Sequence, residues 1–334
     1  MNRYRQVGIG VLALAAVPLL FGRLGFAMRL ATEMAIFALL AVALNVSFGH
    51  TDQLFLFMGG LAGVGAYATA LLAESTGVSP WLTLPVAVAL CAVIAGLVSY
   101  VAARREFTVI LIAILTLNLQ LALLSFFRGA REITRGTTGF GYDGLVPAAV
   151  GETVEESLGL VPEVGLYYLL VVLVGVALLI YVRLVESRLG LAFDAIREDE
   201  TAAASAGIDV VRYKTVAGML SGAMIGVAGV MFVELEDKFI LPELFTFLGV
   251  DVVVLIVLVL GGLRTTLGPV VGAAIVITLE EVLVQITEFQ TTVFGALLIA
   301  LFLYFRSGVV PAVGDTLDRS GLLGRGGTGR PDED

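Results

Sequence analysis

Apolar windows of about 20 residues follow one another along most of this chain, and each is long enough to cross a bilayer as a helix. In hydrocarbon a backbone must satisfy its own N–H and C=O groups, which leaves helices packed on helices as the natural outcome. Ten windows can be read, at roughly 7–22, 31–48, 54–73, 81–103, 107–127, 164–183, 213–233, 246–263, 268–287 and 289–305. Composition agrees: of 334 residues, 58% are hydrophobic and 15% charged, where a soluble domain carries about a quarter charged. A mean hydropathy of +0.99 describes a polytopic membrane protein rather than a soluble enzyme with one anchor. The expectation is an all-α polytopic membrane protein with about ten transmembrane helices (8–10, because the third and eighth windows are irregular). Residues 1–305 would form the membrane domain, and 306–334 a polar, glycine-rich, disordered tail. The first window follows Arg3 and Arg5 as in a signal peptide, but no small-x-small cleavage site precedes a soluble region, so it reads as a retained span.

The longest polar-rich segment between clearly hydrophobic windows is Glu186–Lys214, with Arg188, Asp194, Arg197, Glu198, Asp199 and Glu200 ahead of an alanine run that ends at Gly207. Its residues predict one helix over about 192–207. Acidic side chains in its first half favour a helix N-terminus, and Gly207 suits the left-handed position just past a helix end. The alanine half has no large apolar face to hold it in lipid headgroups, and its short side chains suit a groove in another protein. Placing this stretch inside puts 14 of the 20 basic residues inside and 6 outside, as the positive-inside rule favours. Both termini then lie in the cytoplasm, and the longest outer segment is 128–163, with a short helix expected near 152–158.

Small residues recur four apart in the windows: Gly59/Gly63, the ladder Gly218/Gly222/Gly226, and Gly268/Gly272. Such spacing lets helix backbones approach closely, and glycine also permits a broken helix lining a cavity. Asn45, Asn118 and Gln120 suit either interhelical hydrogen bonds or a polar path, and Asp251, Glu280 and Glu281 are intramembrane carboxylates worth weighing as proton carriers. With one cysteine (Cys91) and one histidine (His50), zinc clusters have too few members, and Cys91, inside an apolar run, reads as a packed core thiol rather than half of a Cys–His nucleophile pair. The sequence has no GxxxxGK[ST], GxSxG or HExxH motif, and a net charge of −9 argues against nucleic acid as a partner. The chain reads as one that moves something rather than transforms it.

The run from Glu200 to Gly207 resembles the EAA–three residues–Gly signature of ABC importer permeases. The wider run SRLGLAFDAIREDETAAASAGIDVVRYKTVAGMLSGAMIGVAGVMF resembles the branched-chain amino acid permeases of the LivM type. LNVSFG with GVGAYATALL, TRGTTGFGYDGL, and VLGGLRTTLGPVVGA resemble further stretches of that family, so the likeness spans about residues 35–285. Departures are GHTDQLFLFMGG in place of a glycine-and-serine run, Leu191 where arginine is common, and Arg264 where glycine is common. The resemblance implies an ABC importer permease fold with a cytoplasmic coupling helix, in the plasma membrane. It implies four kinds of partner: membrane lipid, a second related permease, two cytoplasmic ABC ATPases and an extracellular or periplasmic substrate-binding protein. No cofactor belongs to this chain, ATP and Mg being held by the ATPases. Gly190, Arg197, Glu200, Ala202, Ala203 and Gly207 become candidates for ATPase coupling. Asn45, Gly59, Gly63, Tyr67, Asn118 and Gln120 become candidates for the translocation pathway. The implied cargo is a branched-chain or related amino acid. The alternatives are the same machine for urea or short amides, and an ion-coupled carrier using Asp251 or Glu280/Glu281.

Overall fold

The computed structural model describes residues 3–146, 161–286, 293, 295–296, 299 and 308–312. The helices are α1 (Arg3–Phe21), α2 (Gly25–Leu44), α3 (Met58–Thr76), α4 (Pro80–Arg104), α5 (Val109–Gly129), the one-turn α6 (Arg131–Thr134), α7 (Glu163–Val185), α8 (Arg188–Glu198), α9 (Glu200–Ser205), α10 (Val210–Leu235), α11 (Val253–Gly261) and α12 (Gly268–Ile286). Six of them are long and apolar enough to cross a membrane: α1, α2 with its continuation to Gly49, α4, α5, α7 and α10. That is fewer than the ten windows read from the sequence, and the irregular third and eighth windows account for part of the difference. The third window begins within a non-helical segment, 52–57, before α3 starts. The eighth enters through a wide-turn segment, Phe247–Val252, leaving the short apolar helix Phe247–Gly261. The tenth window apart from 293, 295–296 and 299, the helix expected near 152–158, and the tail apart from 308–312 lie outside the described residues.

The long apolar run of α2 makes it the central helix. Every residue from Ala35 to Leu44 is buried, as expected for a helix hydrophobic all round. It packs against α7, α10, α11 and α12. A second group, α3, α4 and α10, joins it through α10. Glycine decides that packing. A Cβ at Gly218, Gly222 or Gly226 would run into Ser99, Ala95 or Cys91 of α4, and one at Gly65 would stand 2.6 Å from the Gly226 carbonyl. The ladder read from the sequence is therefore a line of close backbone approach, with the sole cysteine buried in its seam.

A cap closes the end of the molecule opposite α8 and α9. Strands β1 (Phe140–Gly141) and β2 (Phe239–Ile240) pair antiparallel, with Phe140 opposite Ile240. Buried Glu234 of α10 holds the cap down by accepting from Tyr142 Oη (2.7 Å), Leu145 N (2.5 Å) and Val146 N (3.3 Å). Burial first, then the Glu234 charge and hydrogen bond, push the Tyr142 phenol above its ordinary pKa, so it stays a donor.

Candidate functional site

The polar stretch folds as two helices at a corner. Ser187 caps α8 by accepting from Leu189 N (3.1 Å), and Gly190 lies so close to the Leu184 and Val185 carbonyls that a Cβ there would clash with backbone. Phe193 and Ile196, three apart on one face, are fully buried, and the Phe193 ring meets Tyr213 edge-on at 6.2 Å. The helix expected over about 192–207 is divided at Asp199. That residue is extended (φ −160°, ψ 110°), and its Oδ1 accepts from Thr201 N (2.8 Å) and Ala202 N (3.0 Å). An aspartate that caps a new helix ends the old one. The acidic cluster is accordingly split: Glu198 closes α8 while Asp199 opens α9.

The second helix is short and outward-facing. Of Glu200–Ser205 only Ala203 is buried, while Ala202, Ala204 and Gly207 are exposed. Gly207 has φ +88°, and a Cβ there would touch nothing, so glycine is required by conformation alone. Ile208 N and Gly207 N donate to the Ala203 and Ala204 carbonyls at 3.0 Å each, closing the helix end. The Glu200 carboxylate pairs with the Lys214 ammonium, whose side chain is 3% exposed against 43% for Glu200.

Three ties run from this corner to the end of α2, where the backbone widens over Asn45–Gly49. Arg197 Nη1 donates to the Phe48 carbonyl (3.1 Å) and to the Gly49 carbonyl, and its Nη2 lies 3.4 Å from Asp52. Gln53 Nε2 donates to the Lys214 carbonyl (3.0 Å) and to Thr51 Oγ1 (2.8 Å). Asp194 pairs with Arg264 and stands 3.7 Å from His50, which shares a hydrogen bond with Tyr181 Oη (2.9 Å). Asn45 fastens the same end to the turn before α12, accepting from Arg264 N (2.9 Å) and donating to the Thr265 carbonyl (3.1 Å). Arg264 occupies that turn at φ +62°, a conformation natural to glycine.

Past this anchored end the chain is neither helix nor strand through 52–57, entering at Asp52 with φ +52°. Non-helical backbone between membrane helices must be buried in protein and satisfied there. Thr116 of α5 does part of this, accepting from Leu56 N (3.0 Å) and donating to the Ile112 carbonyl (2.8 Å). The open N–H groups at the start of α3 are met by side chains from other elements. Asp251 accepts from Met58 N (2.6 Å) and Gly59 N (3.2 Å), and Gln120 Oε1 accepts from Gly60 N while its Nε2 donates to the Phe245 carbonyl (2.7 Å). A carboxylate at a helix N-terminus is favourably placed. Gly59 permits the approach: its Cβ would stand 2.8 Å from the Phe245 carbonyl and 3.1 Å from Asp251. Above it Gly63 lies against Phe127 and Phe245, and Tyr67 stacks on Phe127 with centroids 4.7 Å apart. The Tyr67 hydroxyl is buried without a partner among the described residues.

Of the six residues grouped for a pathway, Gly59, Gly63, Tyr67 and Gln120 surround α3, and Asn45 sits at the corner. Asn118 does not join them. It is exposed on α5 and donates to the Ile114 carbonyl of its own helix (2.8 Å). Of the residues grouped for coupling, Ala202 and Gly207 face outward and Glu200 is half-exposed and paired with the Lys214 ammonium, while Gly190, Arg197 and Ala203 are turned toward the body. Gln53, Thr116 and Lys214 were not singled out by the sequence. Their only signal there is a polar group inside or beside an apolar window. Asp251 was weighed as a proton carrier and is engaged as a helix cap, and Glu280 lies on an exposed face of α12.

Comparison with known proteins bears on this arrangement. The family described as "Branched-chain amino acid transport system / permease component" matches residues 26–305. The chain is 30% identical over 298 residues to the "High-affinity branched-chain amino acid transport system permease protein LivM" of Escherichia coli (strain K12), covering 84% of this chain and 69% of that protein. It is 29% identical, with the same coverage, to the protein of the same name from Salmonella typhimurium. No solved structure gave a significant match. The family match covers well over half of the chain, and the polytopic helical body is what a transport permease requires: the chain belongs to the branched-chain amino acid transport system permease family.

Proposed function

We propose that this chain is the permease subunit of an ATP-driven importer for branched-chain or related amino acids, working by alternating access. A second, related permease completes the pathway. Two ATPases dock at the α8–α9 face and supply ATP and Mg, and a substrate-binding protein delivers cargo to the opposite, outer face. The α8–α9 corner and both termini then lie in the cytoplasm. The observation that carries this reading is α9: an exposed helix of small side chains, closed by a glycine at φ +88° and paired through Glu200 to buried Lys214. Small side chains allow a partner's groove to close on it, and the ion pair passes its displacement to α10.

The geometry supports a route for that displacement. Lys214 accepts from Gln53 through its carbonyl, and Gln53 stands at the start of the non-helical segment that leads to α3. The corner and the intramembrane break are thus joined through one side chain. Asn118 supports the second permease: polar groups inside membranes rarely face lipid, and α5 presents it beside exposed Ile114, Leu115 and Leu121.

The test is uptake of labelled leucine, with urea as competitor, in vesicles containing all subunits. Uptake that requires ATP and is displaced by leucine or isoleucine but not urea is the expected result. Uptake that persists without the ATPases would overturn the reading in favour of a self-sufficient carrier.

A further inference from the structure

A cleft of about 260 Å³ lies between the first turns of α1 and the turn that enters α12, lined by Arg3, Gln6, Arg264, Thr265, Thr266 and Leu267. Its place is fixed by packing, since Gly10 of α1 lies so close to Leu267 that a Cβ would stand 2.7 Å from it. Two guanidinium groups line the cleft and, among the described residues, no acidic residue does. Arg264 spends part of its fork on Asp194 outside the cleft. Arg3 is different: its Nη1 is buried and has no hydrogen-bond partner among the described residues. A guanidinium cannot shed its charge to escape that position, and a buried unpaired donor is costly, more so when charged. The first turn of α12 carries no acidic side chain, so the positive end of that helix adds to the same field.

We propose that this cleft binds a phosphate-bearing anion, with Arg3 as its principal ligand. A phosphate supplies several acceptor oxygens, two of which the planar fork of a guanidinium can engage at once. Leu267 and Val310 make part of the wall apolar, and the cleft lies where two apolar helices begin. An acidic phospholipid headgroup and a free phosphate both offer this chemistry. The site rests on Arg3 and the cleft, not on the transport reading, so either can fail without the other.

The experiment uses the assembled transporter purified in detergent, with native mass spectrometry to count retained phosphatidylglycerol against phosphatidylcholine. A parallel arm titrates inorganic phosphate into transporter held in phosphatidylcholine nanodiscs and follows thermal stability. The variants are Arg3→Gln and, as a control for general surface charge, Arg5→Gln, which is exposed on the same helix and does not line the cleft. Preferential retention of phosphatidylglycerol, weakened about five-fold by Arg3→Gln and unchanged by Arg5→Gln, establishes a lipid headgroup as the ligand. Stabilisation by inorganic phosphate with the same dependence on Arg3 establishes a free anion. If the two variants behave alike, or Arg3→Gln matches the wild type in both arms, the site does not exist.

Discussion

Two consecutive helices share one polar stretch and serve opposite ends. α8 has 11 residues and is held by burial: Phe193 and Ile196 reach the core, and Gly190 lets its backbone press on the end of α7. α9 has 6 residues, and of these only Ala203 is buried. The structure makes the charged half the anchor, because its charges point along the protein: Arg197 to the end of α2 and Asp194 to Arg264. The alanine half is held by the Asp199 cap, the Gly207 turn and the Glu200–Lys214 pair at its ends and by buried Ala203 between them. A helix held at its ends and exposed over most of its length is suited to carry a load from outside.

Substitutions in the two helices should therefore differ in kind. The largest loss of stability is expected from Phe193→Ala in α8, about 3–5 kcal/mol for a buried aromatic, read as a lower Tm and reduced yield of purified transporter. Next is Gly207→Val beside α9. Forcing a β-branched residue to positive φ costs about 1–3 kcal/mol locally. Membrane insertion should survive, while uptake is lost with the end of α9. Insertion and uptake failing together in Gly207→Val, as in Phe193→Ala, would erase the distinction between the helices. Glu200→Gln removes the pair with Lys214, a loss of about 1 kcal/mol for a half-exposed partner; Tm should barely move while uptake per ATP hydrolysed falls. A drop in Tm without a change in that ratio would make the pair structural. Smallest is Arg264→Gly, which relieves a positive φ but gives up the Asp194 pair. The two offset to within about 0.5–1 kcal/mol, so an unchanged melting curve is expected, and a large loss would mean that Asp194–Arg264 carries more of the α8 anchor than its exposure indicates.

Local chemistry made much of this legible. Hydropathy marked the spans because the bilayer imposes its thickness on each window, and the ladder Gly218/Gly222/Gly226 marked a close helix contact because only glycine admits one. Gly207 announced the end of a helix for the same reason. The intramembrane break was harder to see. The third window, 54–73, reads as irregular, but nothing in it places the non-helical backbone at 52–57, since such backbone is tolerated there only with distant partners. Asp251 meets Met58 across 193 residues of sequence and Gln120 meets Gly60 across 60. A single polar residue in an apolar window signals that a partner exists without naming it. The split at Asp199 was legible in principle, because Asp199 followed by Glu200 and Thr201 is a capping sequence, but the run of good helix formers on either side masked it.

The central claim is that α9, and not α8, bears on the ATPases. It can be tested by cross-linking, since the sole native cysteine, Cys91, is buried and Cys91→Ser leaves a background free of thiols. Ala204→Cys in α9 and Leu191→Cys in α8 are both exposed positions. In the assembled transporter, Ala204→Cys should cross-link to the ATPase with a yield that changes on ATP binding, while Leu191→Cys should not. Equal cross-linking from both positions, or from Leu191→Cys alone, would contradict the account.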